Sequence, residues 1–133
     1  MDFVEIFKML SDETRIRILN LLVNHQLCVC EIETILEITQ SNASRHLNRL
    51  KTAKIIDSTK ESQWTYYTIH EKFKADNKKL YDYFLNQIET DEQCINDLSK
   101  LKRYEKSSYT RSDMREKKDE VATALKIKCN CHK

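Results

Sequence analysis

Five cysteines carry the most specific chemistry in this 133-residue sequence: Cys28, Cys30, Cys94, Cys129 and Cys131. Their number is odd and two pairs have Cys-x-Cys spacing. They read as metal-binding or redox-active thiols of a reducing compartment rather than as a disulfide framework. Thiolates are soft ligands and select soft acceptors such as arsenite, cadmium and lead. Cys28 and Cys30 open a short helix with Ile32, Ile35 and Leu36 on one face. A thiol at a helix N-terminus ionises more readily, so both are expected to favour the thiolate. Side chains two apart on a regular helix point about 200° apart. One atom bound by both would then strain or unwind the first helical turn. The plainer reading of a cysteine is a small buried hydrophobe. It suits Cys94, which lies on an amphipathic stretch. For Cys129 and Cys131 the plainer reading is an exposed tail motif. For Cys28 and Cys30 it is weaker, because Val29 between them is expected to take the core face.

A second chemistry is electrostatic. The net charge of +2 argues little alone, but from Ile38 to Ile56 there is no acidic residue, while Arg45, Arg49, Lys51 and Lys54 all fall there. A local basic stretch in a nearly neutral chain signals an anionic partner.

The elements that must position these groups follow from periodicity. Phe3, Ile6, Phe7 and Leu10 have helical spacing. Ser11 is the expected cap of a second helix running to about Val23. A further helix from about Ser41 to Ala53 has Ala43, Leu47 and Leu50 as its apolar stripe, with Asn42, Arg45 and Arg49 opposite and His46 at the edge. With the helix that Cys28 and Cys30 open, it makes a helix-turn-helix candidate. Ile55 to Thr59 and Trp64 to Ile69 are rich in β-branched and aromatic residues and flank a polar tip, Lys60 to Gln63, so they read as a hairpin wing. A long amphipathic helix is expected over about 71 to 90, another over 92 to 106, a linker over 107 to 112, and a charged segment with Val121, Ala122 and Leu125 leading to Cys129 and Cys131. The chain contains no Gly and no Pro, so turns must rely on Asn, Asp, Ser and Lys. The fold class is mainly α with a small β-hairpin. Residues 1–90 are expected to form a winged helix-turn-helix domain for DNA binding, and residues 91–133 a helical, charged C-terminal extension ending in Cys-x-Cys.

Leu27-Cys28-Val29-Cys30-Glu31-Ile32, Ser44-Arg45-His46-Leu47 and Trp64-Thr65-Tyr66-Tyr67, in that order, resemble the ArsR–SmtB family of metal-sensing repressors over about residues 2 to 90. The resemblance implies a homodimer on double-stranded operator DNA, so that the 1–90 domain also serves dimerisation, with residues 2 to 10 and 71 to 90 at the dimer interface. It places Gln40, Ser41, Asn42, Ser44, Arg45 and His46 at the base-reading end of the recognition helix. Asn or Gln can pair with adenine and Arg with guanine. Arg49 and Lys51 suit phosphates, and Lys60 and Gln63 the minor groove or backbone. The implied switch is distortion of the helix opened by Cys28 and Cys30, which packs against the recognition helix. Family members often carry Pro at the position of Ser41 and Gly at those of Lys54 and Ser62, both of which favour φ > 0. Some arsenic sensors carry a third cysteine at the position of Glu33, so the remaining ligand is expected from Cys129, Cys131 or Cys94. A zinc-type site on the long helix after the wing is not expected, because residues 71 to 90 contain no His. His25, His46 and His70 show no ligand spacing, and His132 sits alone in the tail.

The expected function is a metal(loid)-responsive repressor released from DNA by arsenite or antimonite. Cadmium or lead is the alternative inducer. Sensors of those ions often carry cysteines ahead of the first helix, and none stands before Phe3 here. A second alternative keeps the fold but senses oxidants or persulfides through a sulfur bridge between Cys28 and Cys30. A thiol enzyme such as an arsenate reductase needs an anion-cradling loop, usually Gly-rich, and is not expected. No run of 18 to 20 apolar residues would span a bilayer and Met1 to Glu5 has no secretion-signal character, so a cytoplasmic protein without membrane contact is expected.

Overall fold

The computed structural model describes residues 1–126. Helix α1 (Asp2–Leu10) and α2 (Glu13–Leu22) precede a short strand β1 (Leu27–Cys28) and α3 (Val29–Leu36). The cap of α2 is Asp12, one residue beyond the expected Ser11: its carboxylate accepts from the Arg15 N–H at 3.0 Å, while the Ser11 hydroxyl closes α1 by donating to the Lys8 carbonyl at 2.8 Å. Helix α4 (Gln40–Thr52) is capped by Thr39, whose hydroxyl accepts from the Asn42 N–H at 3.1 Å. Strands β2 (Ile56–Glu61) and β3 (Trp64–Ile69) follow and make the wing.

The wing is more than a hairpin. β1 pairs antiparallel with β3, giving a three-stranded sheet of order β1-β3-β2, with Cys28 opposite Tyr66. A two-residue strand has no periodicity to read, so the sequence did not disclose it. The hairpin tip shrinks to Ser62-Gln63, with φ 61° at Ser62. Left-handed backbone at the first central position is the conformation that matches the twist of two-residue hairpins.

The expected long helix after the wing is two helices, α5 (Glu71–Asp76) and α6 (Lys78–Thr90). Asn77 (φ −127°, ψ 43°) breaks them, and its side-chain amide donates to the Phe73 carbonyl at 3.1 Å. Then come α7 (Glu92–Lys106), α8 (Arg111–Glu116) and α9 (Lys118–Lys126). No helix among the described residues is long and apolar enough to cross a membrane.

One core runs through both halves of the chain. Ile18, Leu21, Ile32, Ile35, Leu47, Leu50, Ile55 and Ile56 are fully buried, and Leu101, Met114 and Val121 from α7, α8 and α9 belong to the same cluster. The α7–α9 segment is also tied to α3 by charge. Glu33 takes Lys118 at 2.9 Å, and Glu37 takes Lys100 at 2.9 Å and Lys126 at 3.3 Å. On the other side Arg17 of α2 makes a two-pronged contact with Asp97, which is completely buried.

Candidate functional site

Cys28 and Cys30 meet because Cys28 stands outside the helix. Its backbone is extended (φ −91°, ψ 169°), as the last residue of β1 and the N-cap of α3. This puts its sulfur 2.7 Å from that of Cys30. The 200° separation holds only when both residues are helical, so the expectation that sharing one atom must unwind the helix is corrected: the sulfurs are already neighbours. Val29 is only partly buried, whereas Cys28 is 2% and Cys30 5% exposed. The intervening residue therefore does not displace the cysteines from the interior.

The expectation that both thiols ionise readily is also corrected. Hydrogen bonding between the two pushes Cys28 up and holds Cys30 below the ordinary thiol value. Burial opposes ionisation at both, while the Arg115 cation favours it at Cys30. Cys28 therefore keeps its proton more firmly than Cys30 does. The N-cap is fixed by Glu31, whose Oε1 accepts from the Cys28 N–H at 3.0 Å. Its Oε2 accepts from the Tyr104 hydroxyl at 2.7 Å and lies 3.5 Å from Arg111 Nε. Burial and that carboxylate push the Tyr104 phenol up, so it remains a neutral donor.

The pair suits a thiophilic ion in donor type and placement. A soft ion bonded to both at roughly 2.3 Å would hold the sulfurs about 3.7 Å apart, a shift of about 1 Å from their positions here. Among the described residues, no group of three or more His, Cys, Asp or Glu could hold a metal ion. Glu33, at the position of the third cysteine of some sensors, is engaged by Lys118. Cys94 lies elsewhere, in the groove lined by Phe7, Ile16 and Ile88. Burial there, with Asp91 beside it, pushes its thiol up to about 12. Cys129 and Cys131 lie outside the described residues, as does His132. His25 pairs with Glu105 at 3.2 Å and His70 caps α5 by accepting from the Lys72 N–H at 3.1 Å.

The second candidate surface is α4 with the wing. Gln40, Ser41, Asn42, Arg45, Arg49 and Lys51 are exposed along α4, and Ser44 is half-buried. Arg45 donates to the Asn42 amide oxygen at 3.0 Å, which orders two side chains at the exposed helix start. Lys60 and Gln63 are exposed at and beside the wing tip. His46 is the exception and is corrected: it is 5% exposed and faces α2. Its Nδ1 accepts from Arg15 at 3.1 Å, and the same guanidinium donates to the carbonyls of Met9 and Lys8. Burial holds the imidazole below its ordinary pKa, so the neutral ring is favoured. Its position fits the Ala43-Leu47-Leu50 stripe, three residues beyond Ala43, a signal visible in the spacing.

Residues 12–58 match the family described as "Bacterial regulatory protein, arsR family". An arsenic resistance transcriptional regulator of Pseudomonas putida is 42% identical over 66 residues, 49% of this chain and 52% of that protein. A cadmium resistance transcriptional regulatory protein of Listeria innocua is 44% identical over 64 residues, 47% of this chain and 54% of that protein. The chain thus spans about half the length of these two relatives. The arsenical resistance operon repressor of Escherichia coli is 35% identical over 80 residues, 59% of this chain and 68% of that protein. Among solved structures, the homodimeric winged helix-turn-helix DNA-binding domain from Mycobacterium bovis has a TM-score of 0.56 at 24% identity, covering 65% of this chain and 80% of that one.

Proposed function

The chain belongs to the ArsR family of bacterial regulatory proteins, and from that premise we propose that it is a homodimeric repressor of a metal(loid)-resistance operon, released from operator DNA when arsenite or antimonite binds Cys28 and Cys30. The observation that carries this reading is the position of the thiol pair. Cys28 is both paired to the wing strand at Tyr66 and the cap of α3, the helix that packs on α4. A ligand on these sulfurs acts where the wing and the helix-turn-helix join. Exposed Gln40, Ser41, Asn42 and Arg45 read bases, Arg49 and Lys51 hold phosphates, and Lys60 and Gln63 contact the groove beside the wing. Cys129 and Cys131 are the preferred sources of a third thiolate. Cys94 is the weaker source, since burial favours its protonated thiol. The protein works in the cytoplasm, where thiols stay reduced.

Cadmium or lead is the second reading, favoured by the cadmium-resistance relative and by the same soft-ligand chemistry. Fluorescence anisotropy on the operon's own promoter distinguishes them. The reduced protein is titrated with arsenite, antimonite, cadmium, lead and zinc, and the series is repeated with Cys28→Ser and Cys129→Ser. Release by arsenite and antimonite, lost in Cys28→Ser, is expected. Release by cadmium or lead alone would replace the inducer, and release by an oxidant alone would replace metal sensing with a sulfur bridge.

A further inference from the structure

We propose that α8 is a gate over the thiol pair and that its two arginines tie the gate to the wing, so that thiol occupancy and wing position are coupled directly. This rests on reading Cys28 and Cys30 as the thiophilic site. The sulfurs are almost fully buried, so a ligand can reach them only if something moves. Helix α8 is part of the cover. The Arg111 carbonyl accepts from the Cys30 thiol at 3.7 Å, and the Met114 carbonyl accepts from the Thr34 hydroxyl at 3.3 Å, one turn further along α3.

The same helix grips the wing from outside. The Arg111 guanidinium stands 4.9 Å from the Tyr66 ring centroid, and that of Arg115 stands 4.3 Å from the Trp64 centroid. Tyr66 is the residue opposite Cys28 in the β1–β3 ladder. Gate, wing strand and thiol pair therefore share one set of contacts.

Helix α8 is suited to moving as a unit. It is a self-capped six-residue turn, with Thr110 and Asp113 closing a reciprocal capping box at 2.9 and 3.2 Å. Lys117 breaks the helix after it. Apart from Met114 and the half-buried Asp113, its side chains are exposed. The contact of exposed Arg115 with the half-buried Trp64 ring is of the weak, readily opened kind. A ligand entering at Cys30 displaces the Arg111 carbonyl, and with it the arginines that steady Trp64 and Tyr66. Coupling is reciprocal: a wing held on DNA keeps the gate shut and shields the thiols.

Two readouts test this on the full chain. Iodoacetamide alkylation at each cysteine is timed by peptide mass spectrometry in the wild type and in Arg115→Ala, an exposed position whose loss leaves the fold intact. Trp64 is the sole tryptophan, so its emission reports the wing as arsenite is added. The rate is read directly at Cys28. At Cys30 it is read as the rate per thiolate from a pH series, because Arg115→Ala also removes a cation that favours Cys30 ionisation. The gate predicts both rates about two- to fivefold faster in Arg115→Ala, the weight of one exposed cation–π contact, with Cys94 unchanged. It also predicts an arsenite-dependent change in emission that the variant loses. Equal rates in the two proteins overturn the proposal, as does a parallel rise at Cys94, which signals general loosening. Emission that ignores arsenite while arsenite protects the pair from alkylation also overturns it. If arsenite gives no protection, the thiophilic-site reading falls, and the alkylation rates still decide the gate.

Discussion

At Cys28 one backbone angle decides the chemistry. The spacing of Cys28 and Cys30 is legible in the sequence, but whether they diverge or converge depends on which residue caps α3, and a helix boundary is uncertain by a residue or two from sequence. With Cys28 as the cap, the sulfurs converge and share a proton, and only Cys30 is held below the ordinary thiol value. The largest cause is the hydrogen bond from Cys28, so removing that donor has a definite direction. In Cys28→Ala the Cys30 pKa rises, because burial still disfavours the thiolate and the donor is gone. The pH profile of Cys30 alkylation therefore moves to higher pH, and at neutral pH the rate falls. A profile that stays in place would assign the depressed value to the Arg115 cation instead. His46 teaches the complementary lesson. The family resemblance set it at the DNA-reading end of the helix, while its place on the Ala43-Leu47-Leu50 stripe is what put it inside against Arg15.

At the scale of elements, the helices of the winged domain, α7 and the hairpin were readable because each has its own period, with β-branched and aromatic runs in the wing. By contrast, α8 begins at Arg111 inside the expected linker and α9 lies in what read only as a charged segment. The third strand and the break at Asn77 were not readable, since two residues carry no period and a single Asn need not stop a helix. The absence of glycine left a clearer mark. Among the described residues, three non-glycine residues sit in left-handed backbone, Glu37 (φ 57°), Lys54 (φ 62°) and Ser62 (φ 61°). The family comparison pointed to Lys54 and Ser62, but not to Glu37, which ends α3. Left-handed backbone costs a residue with a Cβ about 1–2 kcal/mol. Glu37 has an offset, because its carboxylate takes Lys100 and Lys126. Lys54 has no ion pair in the described residues and is exposed. Lys54→Gly should therefore raise the unfolding free energy by about 1 kcal/mol, part of the relief being returned as added entropy of the unfolded chain. Urea denaturation checks this. No gain, or a loss, would mean the lysine makes a contact worth as much as the strain it bears.

At the scale of the molecule, the chain leaves apolar surface unspent. Phe3, Val4 and Phe7 of α1 are 59%, 39% and 55% exposed, and Tyr83 of α6 is 62% exposed. The Phe3 and Phe7 rings pack edge to face, 6.3 Å apart. A groove of about 680 Å³ runs beside them, lined by Leu10, Ile16, Leu80, Phe84 and Ile88. The sequence foretold both helices of this face by their amphipathic spacing. It could not foretell that α7 to α9 would fold back on α2 and α3, because the charges that fix them, Arg17 to Asp97 and Lys118 to Glu33, are about 80 residues apart in the chain. Among the described residues the α1–α6 face carries most of the exposed large apolar side chains, and it is the face the proposed homodimer uses. In a two-fold interface each residue counts twice, so a charge placed at Phe7 enters the contact from both subunits. Phe7→Glu should give a monomer in sedimentation velocity at concentrations where the wild type is a dimer. It should also bind an inverted-repeat operator far more weakly, since two recognition helices no longer arrive together. Because Phe7 is exposed in the single chain, thermal unfolding of the variant monomer should remain cooperative. A Phe7→Glu protein that stays dimeric would move the interface off α1, and one that unfolds would mean that this face serves the fold itself.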